Sequence, residues 1–362
     1  MKILGIETSC DETAISLIEV DPAGTSVRIL GNTIHSQVPD HVPYGGVFPM
    51  LAKREHEKNL PLVLDRTMDE AGAKSEDVDL IAITIGPGLE PALWTGIVFA
   101  KELAQKWNKK IVPAHHMEGH ILAALISQTA DARAYKLLES EIAYPALSLL
   151  ISGGHTQIVL IDSMGSYKIA GETRDDAIGE CFDKVARTLG LEYPGGPKIS
   201  KLAAQARAEN IQSPEPLPRP MMTSNDLDFS FSGLKTAVLY LVQKLVAENG
   251  GKPLDEKTIK GIARETEDAV TDVVLAKVRK AIEIYGIQSI IVGGGVIANK
   301  NIRTRLEELA NECSTKLFIP QVDHSTDNGL MIALAGYFNR GKAVDASAEL
   351  KAKGTLPLGP KS

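Results

Sequence analysis

Cysteine is scarce in this chain of 362 residues, with only Cys10, Cys181 and Cys313, well separated. They form neither a disulfide framework nor a cysteine-based zinc motif, which points to a reducing, cytoplasmic setting. No apolar run reaches the roughly 20 residues needed to span a bilayer. The opening Met1-Lys2-Ile3-Leu4-Gly5-Ile6-Glu7 meets a carboxylate too early for a secretion signal. No membrane association is expected. An excess of positive charge is also missing: 39 Lys and Arg face 46 Asp and Glu, for a net charge of −7. That argues against unaided nucleic-acid binding, though a local basic patch is compatible with it. Lys101, Lys106, Lys109 and Lys110 cluster, and a solvated charged face explains them equally well. Neither a P-loop lysine motif nor the Gly-x-Gly-x-x-Gly dinucleotide spacing occurs.

What remains is an ordinary globular composition, 44% hydrophobic and 23% charged, with a length that suits two domains. Strand-like segments open the chain at 2–8, 13–20 and 27–36, followed by a helical stretch over 46–70. A buried-type strand at 80–85 ends at Gly86-Pro87-Gly88, before a helix over 91–107. The order then repeats. Strands at 146–152, 156–161 and 167–171 precede helices over 176–189, 233–248 and 256–285. A strand at 289–292 ends in Gly293-Gly294-Gly295, a helix covers 299–313, and a last strand at 316–319 leads to a helix over 326–339. Two halves of this kind imply a duplicated mixed α/β unit. The expected division is residues 1–110 with about 325–345 in one lobe, 111–324 in the other, and a poorly ordered tail over 346–362. In such folds ligands sit at the carboxyl ends of strands, so the polar turns are expected to converge on a nucleotide cleft between two lobes.

His115-His116-Met117-Glu118-Gly119-His120 concentrates three imidazoles. On a helix, His116 and His120 share one face, as half of a transition-metal site. A surface or interface histidine cluster is the plainer alternative. Glu7-Thr8-Ser9-Cys10-Asp11-Glu12-Thr13 packs hydroxyls and three carboxylates into one turn, suited to a phosphate, a metal or proton transfer, or simply to a capped hairpin. Ser152-Gly153-Gly154-His155-Thr156 occupies the matching place in the second half, where its glycines permit close backbone approach. Gly293 to Asn299 suits an anion at a helix N-terminus, or close packing with Asn299 as N-cap. Asp183 reads alone as a solvated helix charge. Asp323 to Gly329 opens the last helix, which would cross back toward the first half, and a third ligand for the histidines could come from there.

These segments, in this order, resemble the universal family of tRNA threonylcarbamoyl-adenosine transferases, once called glycoproteases. The resemblance covers nearly the whole chain. Its carriers are Gly5 to Thr13, Gly86-Pro87-Gly88-Leu89, His115 to His120, Ser152 to Thr156, Tyr193-Pro194-Gly195-Gly196-Pro197, Phe229 to Thr236 and Gly294 to Asn299. It implies a duplicated actin-like fold of the sugar-kinase type. It implies that His116, His120 and Asp327 bind a divalent metal, Fe(2+) ahead of Zn(2+). It implies that Leu150, Ile151, Ser152, Gly153, Gly154, Asp183, Gly196 and Asn299 bind a nucleotide, as adenylate substrate or ATP. Asp11 and Glu12 match acidic residues of the family's first turn, and Asp11 is our candidate proton acceptor. The implied reaction moves a threonylcarbamoyl group from threonylcarbamoyl-AMP to the exocyclic amine of the adenosine next to the anticodon, in tRNAs reading codons that begin with A. Implied partners are tRNA, a degenerate actin-like paralogue and a small P-loop ATPase. Ser325 stands where the family leads one to expect Cys, Gly329 where one expects Ala, and Glu90-Pro91-Ala92-Leu93-Trp94 where smaller apolar residues are common. The rival readings are a metalloprotease and a small-molecule kinase of the same fold. Against the first, Met117 occupies the place of the water-activating Glu; against the second, a two-histidine ligand set favours a softer ion than Mg²⁺.

Overall fold

Alternating apolar residues in the first strands put one face against helices and leave the other for a second layer. A computed structural model describes residues 1–361. Its strands are β1 (Lys2–Glu7), β2 (Glu12–Val20), β3 (Ser26–Ser36), β4 (Leu80–Gly86), β5 (Lys110–His115), β6 (Ile126–Gln128), β7 (Ala134–Leu137), β8 (Ala146–Ile151), β9 (Thr156–Ser163), β10 (Ser166–Glu172), β11 (Ser289–Gly293) and β12 (Lys316–Phe318). Its helices are α1 (Val38–His41), α2 (Pro49–Ala71), α3 (Glu90–Trp107), α4 (His116–Ala123), α5 (Ile178–Thr188), α6 (Gly195–Ala208), α7 (Ser232–Glu248), α8 (Glu256–Tyr285), α9 (Lys300–Glu312) and α10 (Gly329–Phe338).

One compact unit comprises Met1–Ile142 with Ile319–Leu358; the other is built on Ala143–Phe318. The first holds a sheet in the order β5-β4-β1-β2-β3-β7-β6, the second a sheet in the order β10-β9-β8-β11-β12. Read from the edge, β5-β4-β1-β2-β3 and β12-β11-β8-β9-β10 are the same arrangement. In each, the first strand pairs antiparallel with the second and parallel with the fourth. The duplication expected from the sequence is thus present strand by strand.

The expected lobe boundary after residue 110 moves to the junction of Ile142 and Ala143, because β5 pairs with β4 and β7 with β3, extending the first sheet. The tail is also ordered where it was expected to be loose. Ile111 and Val344 exchange two backbone hydrogen bonds of 2.8 Å, Lys353 donates to Ile85, and Leu350 and Leu358 are buried. The helix α6 was not anticipated, since Pro194-Gly195-Gly196-Pro197 reads as a turn. Those residues instead start a helix, Pro197 lying in its first turn, where no intrahelical N–H is needed, and the helix formers Lys198 to Ala208 extend it.

In the first unit, Leu4, Ile6, Ile15, Leu17, Ile81 and Ile83 pack with Leu60, Val63 and Ile97 of α2 and α3. On the opposite face lies α10, whose residues Gly329 to Gly336 are all buried, against β1, β2 and β4. A helix apolar all round suits that position. Its approach is set by glycine. A Cβ on Gly5 would stand 2.3 Å from the backbone N of Ala333, and one on Gly329 would stand 2.4 Å from the backbone N of Ser16. The departure from the expected Ala at 329 therefore has a steric reason here. Gly329→Ala should destabilise the fold by about 1–3 kcal/mol, since backbone must move to admit the methyl group. Urea unfolding checks this, and an unchanged midpoint would contradict it.

Candidate functional site

β5 ends at His115, whose ring caps the next helix by accepting from the N–H of Met117 at 3.1 Å. That cap starts α4 at His116 and puts His116 and His120 one turn apart, with ring centroids 4.8 Å apart. Asp327 arrives from the other end of the unit. It was expected inside the last helix; it precedes it, because Asn328 is the N-cap, accepting from Met331 N–H at 2.9 Å. Asn328 also donates to the carbonyl of Thr326 at 2.6 Å, which braces the segment carrying Asp327. Ser325, in place of the expected Cys, donates to the carbonyl of Val322.

Oδ1 of Asp327 lies 3.1 Å from Nε2 of His120 and 3.6 Å from Nε2 of His116. One ligand atom from each of the three residues falls within a 4.8 Å cluster, so the group could hold a metal ion. His120 is 1% exposed, yet neither of its ring nitrogens makes a hydrogen bond. Buried polar atoms in that condition are costly. A cation held by Nε2 of both histidines and the carboxylate removes the cost at Nε2, so the residues fit such a group. All three belong to the first unit, whereas the expected division put the histidines in one lobe and Asp327 in the other.

Glu7, at the end of β1, completes the surroundings. It is fully buried; Oε2 accepts from Thr84 Oγ1 at 2.6 Å and lies 3.2 Å from Nδ1 of His116, and Oε1 accepts from Ser9 N–H at 2.5 Å. Burial opposes the charged form of His116, but the carboxylates of Asp327 and Glu7 outweigh it and raise its pKa to about 9. Burial likewise pushes the Glu7 carboxyl up, and His116 and the Ser9 hydrogen bond bring it below its ordinary value. The sequence offered no way to assign Glu7 to His116: only the strand order, with β1 beside β4 and β4 beside β5, brings them together.

Asp11 and Glu12 follow directly, Asp11 closing the turn from β1 and Glu12 opening β2. Burial first, then the negative charges of Asp11 and Asp327, raise the Glu12 carboxyl well above the usual range. The same causes hold the Cys10 thiol well above its usual value, which makes it a poor nucleophile. The turn is pinned from behind by His56, whose Nε2 contacts the Cys10 carbonyl at 3.0 Å, and by Gln37 N–H donating to the Asp11 carbonyl at 2.8 Å. Glu118 is unavailable to replace the missing protease carboxylate, since it is buried and accepts from Asn339 Nδ2 at 2.9 Å.

The residues expected at a nucleotide lie in the second unit. Leu150 and Ile151 end β8 fully buried, so their side chains face the core. Ser152, Gly153 and Gly154 form the turn beyond, and no atom lies within 4 Å of where a Cβ would stand on either glycine. The neighbouring parallel strand β11 ends beside it: Gly293 pairs with Leu150, and a Cβ on Gly294 would stand 2.4 Å from the Ile151 carbonyl oxygen. The start of α5 is tied to the same turn, with Gly179 N–H donating to Ser152 at 3.3 Å. Asp183 on α5 accepts from Gly195 N–H at 2.7 Å, which joins it to the first turn of α6 and Gly196. Asn299 is the N-cap of α9: its side chain accepts from Ile302 N–H at 3.0 Å and donates to Glu267 Oε1 at 2.5 Å. The capping alternative thus holds for Asn299.

The family model for tRNA N6-adenosine threonylcarbamoyltransferase matches residues 28–334. A protein of that name from Neisseria meningitidis is 41% identical over 360 residues, covering 96% of each chain. A second, from the serogroup A strain Z2491 of that species, matches equally well. Among solved structures, full-length HypF in its phosphate- and nucleotide-bound form covers 94% of this chain and 55% of its own, at 12% identity and a TM-score of 0.53. That likeness extends to the fold alone, and together with the repeated strand order it agrees with a duplicated actin-like architecture.

Proposed function

The chain belongs to the tRNA N6-adenosine threonylcarbamoyltransferase family and is a transferase that modifies adenosine in tRNA, and from this premise we propose how its residues divide the work. The donor is threonylcarbamoyl-AMP and the acceptor the exocyclic amine of the adenosine beside the anticodon, in tRNAs reading codons that begin with A. An anticodon loop offers its bases more openly than a duplex does. The observation that carries the proposal is the His116, His120 and Asp327 group, in which the buried His120 ring makes no hydrogen bond and faces only the Asp327 carboxylate.

His116, His120 and Asp327 would hold one divalent ion; two nitrogens with one carboxylate oxygen suit Fe(2+) or Zn(2+) alike, and the family resemblance puts Fe(2+) first. When bound, the ion supplies Lewis acidity toward oxygens of the threonylcarbamoyl group. Asp11 accepts a proton from the attacking amine. The N6–C bond forms, the bond from the carbamoyl carbon to the phosphate oxygen breaks, and AMP leaves with the electron pair. Gly153 and Gly154 leave a backbone that a phosphate can approach, and the turn takes up the departing charge. Leu150, Ile151 and Ser152 shape that turn, Asp183 and Gly196 flank the adenylate, and Asn299 keeps the α9 N-terminus in place. Glu12, whose carboxyl is held well above its usual range by burial and by the charges of Asp11 and Asp327, is the second acidic group at this place.

No helix among the described residues is long and apolar enough to cross a membrane. We place the enzyme in the cytoplasm, working with a degenerate actin-like paralogue and a small P-loop ATPase. The metalloprotease reading is disfavoured by the engagement of Glu118 with Asn339. The test is a transfer assay with threonylcarbamoyl-AMP and unmodified tRNA, adding candidate partners one at a time. Modified adenosine is expected; none under any combination would sink the proposal.

A further inference from the structure

Glu7 is the one fully buried carboxylate of the first turn that the transfer chemistry leaves without a task. We infer that Glu7 is a positioning residue: it holds His116 with the proton on Nδ1, so that Nε2 presents its lone pair to the metal. The inference rests on the reading that His116, His120 and Asp327 hold the ion.

The geometry of the carboxylate carries the argument. Its two oxygens face three donors: Ser9 N–H on Oε1, Thr84 Oγ1 and His116 Nδ1 on Oε2. Ser9 Oγ is a further neighbour of the same ring nitrogen, at 3.1 Å. A carboxylate accepts only, so the ring atom facing it must carry a hydrogen. Nε2, on the far side of the ring, faces Asp327. A ligating histidine that gives its other N–H to a carboxylate has its tautomer and orientation fixed, and loss of such a partner typically weakens metal binding about 10–100-fold.

The donors differ in what they can tolerate, which makes the isosteric variant informative. In Glu7→Gln one oxygen becomes NH₂. The backbone N–H of Ser9 can only donate, so the amide oxygen must face it. The NH₂ then faces Thr84 and Nδ1 of His116. Thr84 can rotate its hydroxyl; the imidazole can respond only by giving up its Nδ1 proton. The neutral ring then carries its proton on Nε2, where the metal must bind. Glu7→Ala has no such group, and leaves the ring free to choose either tautomer with Ser9 Oγ beside it. A mere packing role ranks the variants the other way, because Gln preserves the volume and Ala does not.

The experiment titrates Zn²⁺ into metal-stripped wild-type, E7Q, E7A and H120A full-length proteins against a chromogenic chelator, with thermal melts of each stripped protein. The expected result is Zn²⁺ binding about 10–100-fold weaker in E7Q, at least as weak as in E7A, with the stripped E7Q protein still melting cooperatively. E7Q binding like wild type, or E7A binding more weakly than E7Q, overturns the inference. H120A separates the two readings: if H120A binds Zn²⁺ like wild type, the metal site itself is wrong, whereas loss in H120A with wild-type binding in E7Q removes only the role of Glu7. Should the variants fail to fold, ¹⁵N-histidine spectra of zinc-loaded wild type decide. His116 must show a protonated Nδ1 and a metal-bound Nε2; the reverse overturns the inference.

Discussion

His120→Ala should abolish tight binding of one metal ion and lower threonylcarbamoyl transfer by about a thousandfold. The rate effect follows from the several kcal/mol that Lewis-acid assistance supplies to an acyl-type transfer, at about 1.4 kcal/mol per factor of ten. The structure explains why the loss should be clean. The polar contact of the His120 ring is the 3.1 Å approach of Nε2 to Asp327, within the ligand group itself, and Nδ1 has no hydrogen-bond partner, so the substitution reaches no polar network beyond that group, and alanine is at home in the α4 helix. The second readout is thermal. A ligand at a hundred times its Kd stabilises the native state by about 2.7 kcal/mol, so added metal should raise the melting temperature of wild type and leave the variant unmoved. Equal metal-dependent stabilisation in both would show that the ion sits elsewhere.

Asp11→Asn should slow transfer by about 10²–10⁴-fold, the usual worth of a positioned general base, while binding of the adenylate stays near wild type. The change preserves shape and removes only the capacity to take the proton. The backbone of the turn should stay in place, because its supports act on carbonyls: Gln37 N–H on Asp11 and His56 on Cys10. Single-turnover rates with preformed threonylcarbamoyl-AMP isolate the chemical step. Normal adenylate binding combined with a full transfer rate would remove Asp11 from the role and leave the amine to lose its proton to another group or to water. The same substitution also relieves Glu12 of one of the charges that raise its carboxyl. The Glu12 carboxyl should therefore titrate lower in the variant, a shift that carboxyl NMR can follow.

Much of this was legible in the chain. Apolar alternation and helix periodicity located nearly all the principal strands and helices, and β1 to β4 and β8 to β11 lie within a residue or two of where the pattern put them. The spacing of His116 and His120 announced two imidazoles on one helical face, because three and four residues make neighbours on any helix. Where the local signal was ambiguous the reading failed. The glycine and proline run that opens α6 has the composition of a turn, and the tail looked loose because its small polar residues show no period.

What the sequence by itself determined is the inventory: which strands and helices form, which turns carry carboxylates, imidazoles and glycines, and that the unit is repeated. Those are properties of neighbours along the chain, governed by backbone geometry and side-chain period. Tertiary structure alone decided the pairings between distant segments. The Asn328 cap and the glycine contacts of α10 with β1 and β2 bring Asp327 to the histidines. The β1-β4-β5 strand order sets Glu7 behind His116. The seven-stranded sheet claims β5 to β7, and with them His116 and His120 beside Asp327, for the first unit. Register and packing fix such contacts, and neither leaves a periodic trace for a reader of the linear chain.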